Sequence, residues 1–162
     1  QSERKMITLK TVDSSNWREA LTLTVHPEQL RFVANYTPIA AIGLAKAYVR
    51  TEKMKWLPYV MTVGSEMVGF VTIAYSEDDP KDIWICHFFV DQRYQGRGYG
   101  KEALLVLIEA IQDEIPAFQR ICLTVHPENR VARALYENAG FQQTGEMRWD
   151  EPVFTLRERL DE

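Results

Sequence analysis

The chain has 162 residues, of which 46% are hydrophobic and 26% are charged, a balance typical of one globular domain with a full core. Its net charge of -4 argues against a general nucleic-acid-binding surface and is compatible with a small cationic substrate. The longest apolar stretch, 39–49, contains Gly43 and Lys46 and is too short to cross a bilayer, so no membrane association is expected.

Hydrophobic periodicity and turn residues predict the element order β-α-α-β-β-β-α-β-α-β-β, a mixed sheet with helices on its faces. Residues 64–66 are typical of a tight hairpin turn, and the strand at 83–91 is almost continuously apolar, as expected of burial on both faces. In chain order the predicted elements are a strand at 6–12, a helix at 16–25, a helical region at 38–52, strands at 57–64, 67–75 and 83–91, a helix at 98–114, a strand at 120–126, a helix from 129 that ends at Gly140, and strands at 141–147 and 153–159.

The two cysteines, Cys86 and Cys122, lie inside apolar segments and show no CxxC or Cys/His ligand spacing. This pattern favours reduced thiols in a cytoplasmic protein that binds no metal. Residues 1–5 look like a tag remnant or a ragged start, so a single domain is expected over 6–162.

A glycine-rich stretch, YQGRGYG at 94–100, connects the apolar strand to an amphipathic helix. A P-loop is excluded because Gln95 stands at its first glycine position and Glu102 at its Ser/Thr position. A dinucleotide fingerprint fits poorly, since the third glycine comes one residue early. The pattern Q/R-x-x-G-x-G/A, in contrast, is matched in full by Gln95, Gly98 and Gly100.

These glycines predict a pyrophosphate site, because backbone N–H groups without neighbouring side chains approach an anion closely. The N-terminal end of the following helix adds partial positive charge. Positive side chains surround the stretch at Arg93, Arg97 and Lys101. The glycines alone also allow a plain strand-to-helix turn that binds nothing.

A second motif, N-x-x-A-x-x-x-Y-x-x-x-G-F, follows the next strand and comprises Asn129, Ala132, Tyr136, Gly140 and Phe141. The two motifs, in this order and spacing, resemble the GNAT superfamily of N-acetyltransferases over nearly the whole chain. The resemblance implies an α/β (α+β) fold with a mixed, mostly antiparallel sheet of about six or seven strands. It also implies a parallel central pair that splays at the cofactor site, and helices on both faces.

By this resemblance acetyl-CoA is the acetyl donor, and its pyrophosphate lies on the glycine stretch. The backbone around Phe88 to Val90 pairs with the pantetheine arm, which Asn129 also contacts. The cofactor-binding residues implied in this way are Phe88, Phe89, Val90, Gln95, Gly96, Arg97, Gly98, Tyr99, Gly100, Lys101, Asn129, Ala132 and Tyr136.

Tyr136 is the catalytic residue that the resemblance implies, as a general acid. A phenol with a pKa of about 10 is protonated at neutral pH and is able to protonate the departing thiolate. The alternative is that its ring only completes an apolar helix face with Val131, Leu135 and Ala139. A non-catalytic CoA-binding module has no need of a proton donor here, so Tyr136 favours an enzyme.

The stretch WICHFFVDQRYQGRGYGKEAL is similar to bacterial diamine/spermidine acetyltransferases, which implies a small polyamine or diamine as the acceptor. Those enzymes commonly carry a carboxylate where this chain has Cys86. The alternatives are acetylation of a protein amine or of an amine-containing antibiotic, and a homodimer is compatible with the resemblance.

Candidate residues for the acceptor site are Glu28, Tyr36, Cys86 and His87. Strand alternation predicts that Cys86 and His87 point to opposite faces of the sheet. The general base is left open between His87 and surface carboxylates, because a histidine in a buried strand is commonly a core residue.

Overall fold

The computed structural model describes residues 6–157, which form a single sheet with helices on both faces. The sheet order is β1-β2-β3-β4-β5-β7-β6. Its strands are β1 (Ile7–Thr11), β2 (Lys55–Val63), β3 (Glu66–Tyr75), β4 (Asp82–Val90), β5 (Arg120–Thr124), β6 (Gln142–Arg148) and β7 (Glu151–Arg157). Its helices are α1 (Trp17–Ala20), α2 (Leu30–Val33), α3 (Ile39–Val49), α4 (Tyr99–Glu114) and α5 (Arg130–Asn138).

The predicted mixed sheet with a parallel central pair is confirmed. β4 and β5 are parallel, whereas every other neighbouring pair of strands in the described range is antiparallel. Residues 158–159, the predicted end of the last strand, and the predicted limits of the domain at 1–5 and 162 lie outside the described residues.

Two apolar layers hold the helices to the sheet. On one face, Leu104, Leu107 and Ile111 of α4 pack with Ile83 of β4 and Leu123 of β5. On the opposite face, a second layer joins α1 and α3 to the first half of the sheet through Ala20, Ile39, Ala40, Val60, Phe70 and Phe89. Burial of these side chains, at roughly 25 cal/mol per Å² of apolar surface, is the main favourable contribution to folding.

The helix predicted at 16–25 ends at Ala20, so the second half of that prediction is wrong. The backbone N–H of Thr24 donates to Asp91 Oδ2 at 3.0 Å, and its carbonyl accepts from the N–H of Gln92 at 2.8 Å. These contacts with the end of β4 take the place of helical hydrogen bonds. The short helix α2 is not predicted by the sequence. Helix α3 lies within the helical region predicted at 38–52.

Asp91 fixes the start of the glycine stretch against this connection. Its side chain is 1% exposed and accepts hydrogen bonds from Thr24 N, Arg93 N and Arg93 Nε. Burial alone raises the pKa of this carboxyl, but the hydrogen bonds from Arg93 and Thr24 outweigh burial and lower the pKa. Asp91 is therefore ionised at neutral pH and holds the glycine stretch in a defined position.

The two parallel strands diverge soon after they pair. Their pairing runs from Asp82 with Arg120 to Trp84 with Cys122, whereas β4 continues to Val90. A β-bulge lies in the part of β4 that is paired with β3 but not with β5. There His87 has a φ of 52°, and the register with β3 shifts between Phe70 and Thr72. The divergence opens the centre of the sheet.

No helix among residues 6–157 is both long enough and apolar enough to span a membrane. Within the same range, no group of three or more His, Cys, Asp or Glu side chains is placed to hold a metal ion.

Candidate active site

The glycine stretch leaves its backbone open to solvent at the start of α4. Gly96 and Gly98 both have a φ of 81°, and a Cβ added to either would meet no atom within 4 Å. Gly98 is the N-cap residue of α4, and within the described residues the N–H groups from Gly96 to Gly98 have no protein acceptor. Left-handed glycines beside a helix N-terminus form a typical anion-binding concavity, so the stretch fits a pyrophosphate.

Gln95 anchors this stretch, whereas Arg97 and Lys101 lie beside its open backbone. Gln95 Nε2 donates to Val90 O and to Gln29 Oε1, both at 3.0 Å, so Gln95 ties the stretch to the end of β4. The guanidinium of Arg97 lies 5.4 Å from the centre of the Tyr94 ring, and Lys101 is exposed on the first turn of α4. Arg97 and Lys101 therefore place positive charge beside the open backbone of the stretch.

A cavity of about 400 Å³ lies where β4 and β5 diverge. Its wall includes Cys86, His87 and Phe88 from β4, and Ala132 and Tyr136 from α5. In the described range, the edge of β4 beyond Trp84 that faces β5 has no strand partner. That free edge suits an extended ligand that pairs with backbone groups.

Side chains from both faces of the sheet line the cavity. Phe88 and Tyr136 belong to the face covered by α4 and α5, and their ring centres are 6.4 Å apart. Cys86 packs with the apolar cluster on the opposite face, near Ala47 of α3. The cavity is therefore lined from both faces of the sheet.

The prediction that Cys86 and His87 point to opposite faces is wrong, because it assumed regular strand alternation. The bulge turns His87 to the face of Cys86, where His87 Nδ1 lies 3.1 Å from the carbonyl oxygen of Val33 in α2. Both side chains line the cavity, and the nearby ammonium of Lys46 acts on both.

Neither Cys86 nor His87 is charged at neutral pH. Burial raises the pKa of the Cys86 thiol to about 12, so the thiol is protonated. Burial, with a smaller contribution from Lys46, lowers the pKa of His87 to about 4. Since the carbonyl of Val33 only accepts, Nδ1 carries the proton, and the buried Nε2 has no hydrogen-bond partner in the described structure.

Tyr136 is buried in α5 with its ring held between two others. Its ring centre lies 6.4 Å from that of Phe88 and 5.9 Å from that of Phe141. Burial raises the pKa of the phenol above its ordinary value of about 10, and the nearby carboxylate of Glu151 raises it further. The phenol is therefore protonated at neutral pH and faces the cavity.

Glu151 is a cavity residue that the sequence does not predict. It begins β7, is half-buried, and accepts a hydrogen bond from Thr124 Oγ1 at 2.8 Å. No motif contains Glu151, and its position beside the gap depends on the pairing of β7 with β5.

The remaining predicted site residues differ in position. Asn129 and Ala132 line the cavity, where Asn129 Oδ1 caps α5 by accepting from Ala132 N at 3.2 Å. The side chain of Phe89 is buried among the α1–α3 contacts, so only its backbone is available to a ligand. Glu28 and Tyr36 are exposed and lie outside the cavity wall; their roles stay predictions.

Known proteins are similar to this chain in sequence and in fold. Residues 18–141 match the model of the acetyltransferase (GNAT) family. A spermine/spermidine N(1)-acetyltransferase from Bacillus subtilis (strain 168) is 32% identical over 150 residues, covering 87% of this chain and 91% of the relative. A probable spermine N(1)-acetyltransferase from Bacillus subtilis subsp. natto (strain BEST195) is 31% identical with the same coverage.

The solved structures agree on the fold. An aminoglycoside acetyltransferase in complex with coenzyme A superposes with a TM-score of 0.71 at 20% identity, over 93% of this chain and 94% of that one. A Salmonella typhimurium acetyltransferase that modifies the N-terminal serine of a 50S ribosomal subunit protein superposes with a TM-score of 0.69 at 16% identity, over 95% and 96%.

The chain belongs to the GNAT acetyltransferase family. It is accordingly an acetyl-CoA-dependent N-acetyltransferase, and acetyl-CoA is the acetyl donor of its family.

Proposed function

We propose that this enzyme transfers the acetyl group of acetyl-CoA directly to a primary amine of a small polyamine such as spermidine. The observation that carries the acceptor class is the similarity to two relatives named for spermine or spermidine, each aligned over 91% of its length. The cavity supports direct transfer, because residues from both faces of the sheet line it and a donor and an acceptor could meet there.

On the donor side, the backbone of the glycine stretch and the N-terminus of α4 hold the pyrophosphate. The free edge of β4 from Phe88 to Val90 binds the pantetheine arm through its backbone groups. Acetyl-CoA supplies a thioester whose carbonyl carbon is attacked by a neutral amine. With acetyl-CoA bound at the gap, its sulfur lies toward Tyr136. Tyr136 donates the proton that the departing thiolate needs.

Direct attack by the amine is favoured over an acetylated enzyme. Cys86 is the thiol nearest to the gap, since it lines the cavity wall. With its pKa raised to about 12 by burial, it is a thiol rather than the thiolate required for nucleophilic attack. The amine substrate is therefore the nucleophile.

The acceptor side of the cavity admits one end of a polyamine. The ammonium of Lys46 lies 4.7 Å above the Trp56 ring and lines the cavity beside Cys86 and His87. It repels further positive charge near β4, so the reacting amine lies away from Lys46 and the other amines point outward.

A panel of amines tests this proposal by the rate at which CoA is released. We expect kcat/KM for spermidine to exceed that for kanamycin, and that for a peptide with a free N-terminus, by at least about tenfold, a difference of about 1.4 kcal/mol in transition-state binding. A preference for kanamycin or the peptide would replace the polyamine by an antibiotic or a protein amine. If no amine in the panel caused CoA release, the result would indicate a CoA-binding module without catalysis.

A further inference from the structure

We infer that Glu151 is the group that binds the reacting ammonium and accepts its proton, so that the amine attacks in its neutral form. This inference deepens the proposed function and rests on it for the reaction, although it holds for any primary amine that enters the acceptor side. The proposal stands on the position of Glu151, its hydrogen bonding and its charge relative to the rest of the cavity.

Glu151 lies on the acceptor side of the gap. In β7 it is two residues before Val153, which belongs with Trp84 and Cys122 to the cluster on the α3 face. Thr124 Oγ1, on the neighbouring strand β5, donates to Glu151 Oε1 at 2.8 Å and so fixes the carboxylate. The hydrogen bond leaves Oε2 for a ligand.

Glu151 is also close to the proposed acid. Tyr136 comes from the α4–α5 face and Glu151 from the opposite face, and both line the same cavity. The carboxylate is near enough to act electrostatically on the phenol of Tyr136. An amine held by Glu151 is therefore held beside the group that protonates the leaving sulfur.

The charges of the cavity select Glu151 as the cation-binding group. It is the single carboxylate among the described residues of the cavity wall, where the cations are Arg31 and Lys46. Arg31 is already paired with Glu128 at 2.8 Å. His87 is a poorer site for an ammonium, because its imidazole is neutral at pH 7 and lies near Lys46.

Two groups, Glu151 and Tyr136, account for every proton transfer in the reaction. An N–H bond of the ammonium breaks as Glu151 takes the proton, and the neutral amine forms a C–N bond to the acetyl carbon. The C–S bond breaks, and sulfur takes the phenol proton of Tyr136. The phenolate then regains a proton from the acetylated nitrogen, and Glu151 releases its own proton to water.

The test is Glu151→Gln, assayed with spermidine and with n-butylamine, which has the same reacting group without the other charges. Glutamine keeps the shape and its amide oxygen still accepts from Thr124, so the melting temperature and the acetyl-CoA Kd should match those of the parent. We expect kcat/KM at pH 7 to fall by about 10²–10⁴-fold for both amines, the usual contribution of a positioned base. Glu151→Asp, which keeps the charge, should recover part of this loss.

The pH profile separates a proton acceptor from a structural residue. Without Glu151, the enzyme depends on amine that is already neutral in solution. The neutral fraction rises about tenfold per pH unit below an amine pKa of about 10.4. The deficit of Glu151→Gln should therefore shrink steadily between pH 7 and pH 9, where the raised pKa of Tyr136 keeps the acid protonated. The titratable groups that share the cavity with Glu151 are Arg31, Lys46, Cys86, His87, His126 and Tyr136.

Glu137→Gln is the matched control, because Glu137 is exposed on α5 next to Tyr136 and pairs with Arg133 at 3.3 Å. It should leave the rate and the pH profile unchanged. Full activity of Glu151→Gln at pH 7, or a loss that is the same at every pH, would overturn the assignment. Parent activity on n-butylamine but not on spermidine would overturn only the polyamine acceptor, and activity on neither amine would overturn both proposals.

Discussion

Replacing Tyr136 with phenylalanine is expected to lower kcat by about 10²–10⁴-fold, the usual contribution of a positioned general acid. The substitution removes only the hydroxyl, while the ring keeps its contacts with Phe88 and Phe141. Without the phenol proton, the sulfur must leave as a thiolate. Steady-state measurement of CoA release at saturating acetyl-CoA and amine gives the effect directly.

The acetyl-CoA Kd and the melting temperature of Tyr136→Phe should stay close to those of the parent, because the packing of α5 is unchanged. Tyr59→Phe is a suitable control: Tyr59 is half-buried but lines a separate groove between β1–β3 and α4. It should retain full activity. A Tyr136→Phe enzyme that works at the parental rate would show that the proton comes from elsewhere.

Replacing Gly98 with valine is expected to weaken acetyl-CoA binding by at least about 100-fold. A Cβ at Gly98 projects into open space beside the backbone N–H groups and would keep an anion from reaching them. Hydrogen bonds to charged groups contribute about 1.5–3 kcal/mol each, and the loss of two of them accounts for this change. Isothermal titration calorimetry with acetyl-CoA measures the Kd.

Gly98→Val also carries a backbone cost, because valine at a φ of 81° is strained by about 1–3 kcal/mol. Gly64→Val is the matched control for this cost. Gly64 has a φ of 60° in the turn between β2 and β3, and a Cβ there also meets no atom within 4 Å. Both variants should melt at lower temperature than the parent, but only Gly98→Val should lose acetyl-CoA. Equal Kd values for the two would mean that the glycine stretch serves only the fold.

The elements proposed for the donor side were predictable from sequence because their signals are local. Gly98 and Gly100 act through their own backbone, and the helix that follows them is marked by its own apolar period. Asn129 caps the short helix α5 and Tyr136 belongs to it, at a fixed spacing. Predicting these positions requires no information about distant strands, and Asn129 and Tyr136 both line the cavity at the gap.

The acceptor side was much less predictable because it depends on contacts between distant segments. The side to which His87 points is set by a bulge against β3, which its own sequence does not mark. Glu151 reaches the cavity only because β7 pairs with β5, and Lys46 because α3 packs over the same face. The shortened α1 has the same origin, since Thr24 bonds to Asp91 far along the chain.

Two-substrate kinetics with acetyl-CoA and spermidine test the central claim, direct transfer within one cavity, most directly. When both substrates are varied, the double-reciprocal lines should intersect, because both must be bound before transfer, and each acetylated spermidine should appear with one CoA. Parallel lines together with an acetyl group recovered on Cys86 would contradict the account, since they are the signature of a covalent acetyl-enzyme.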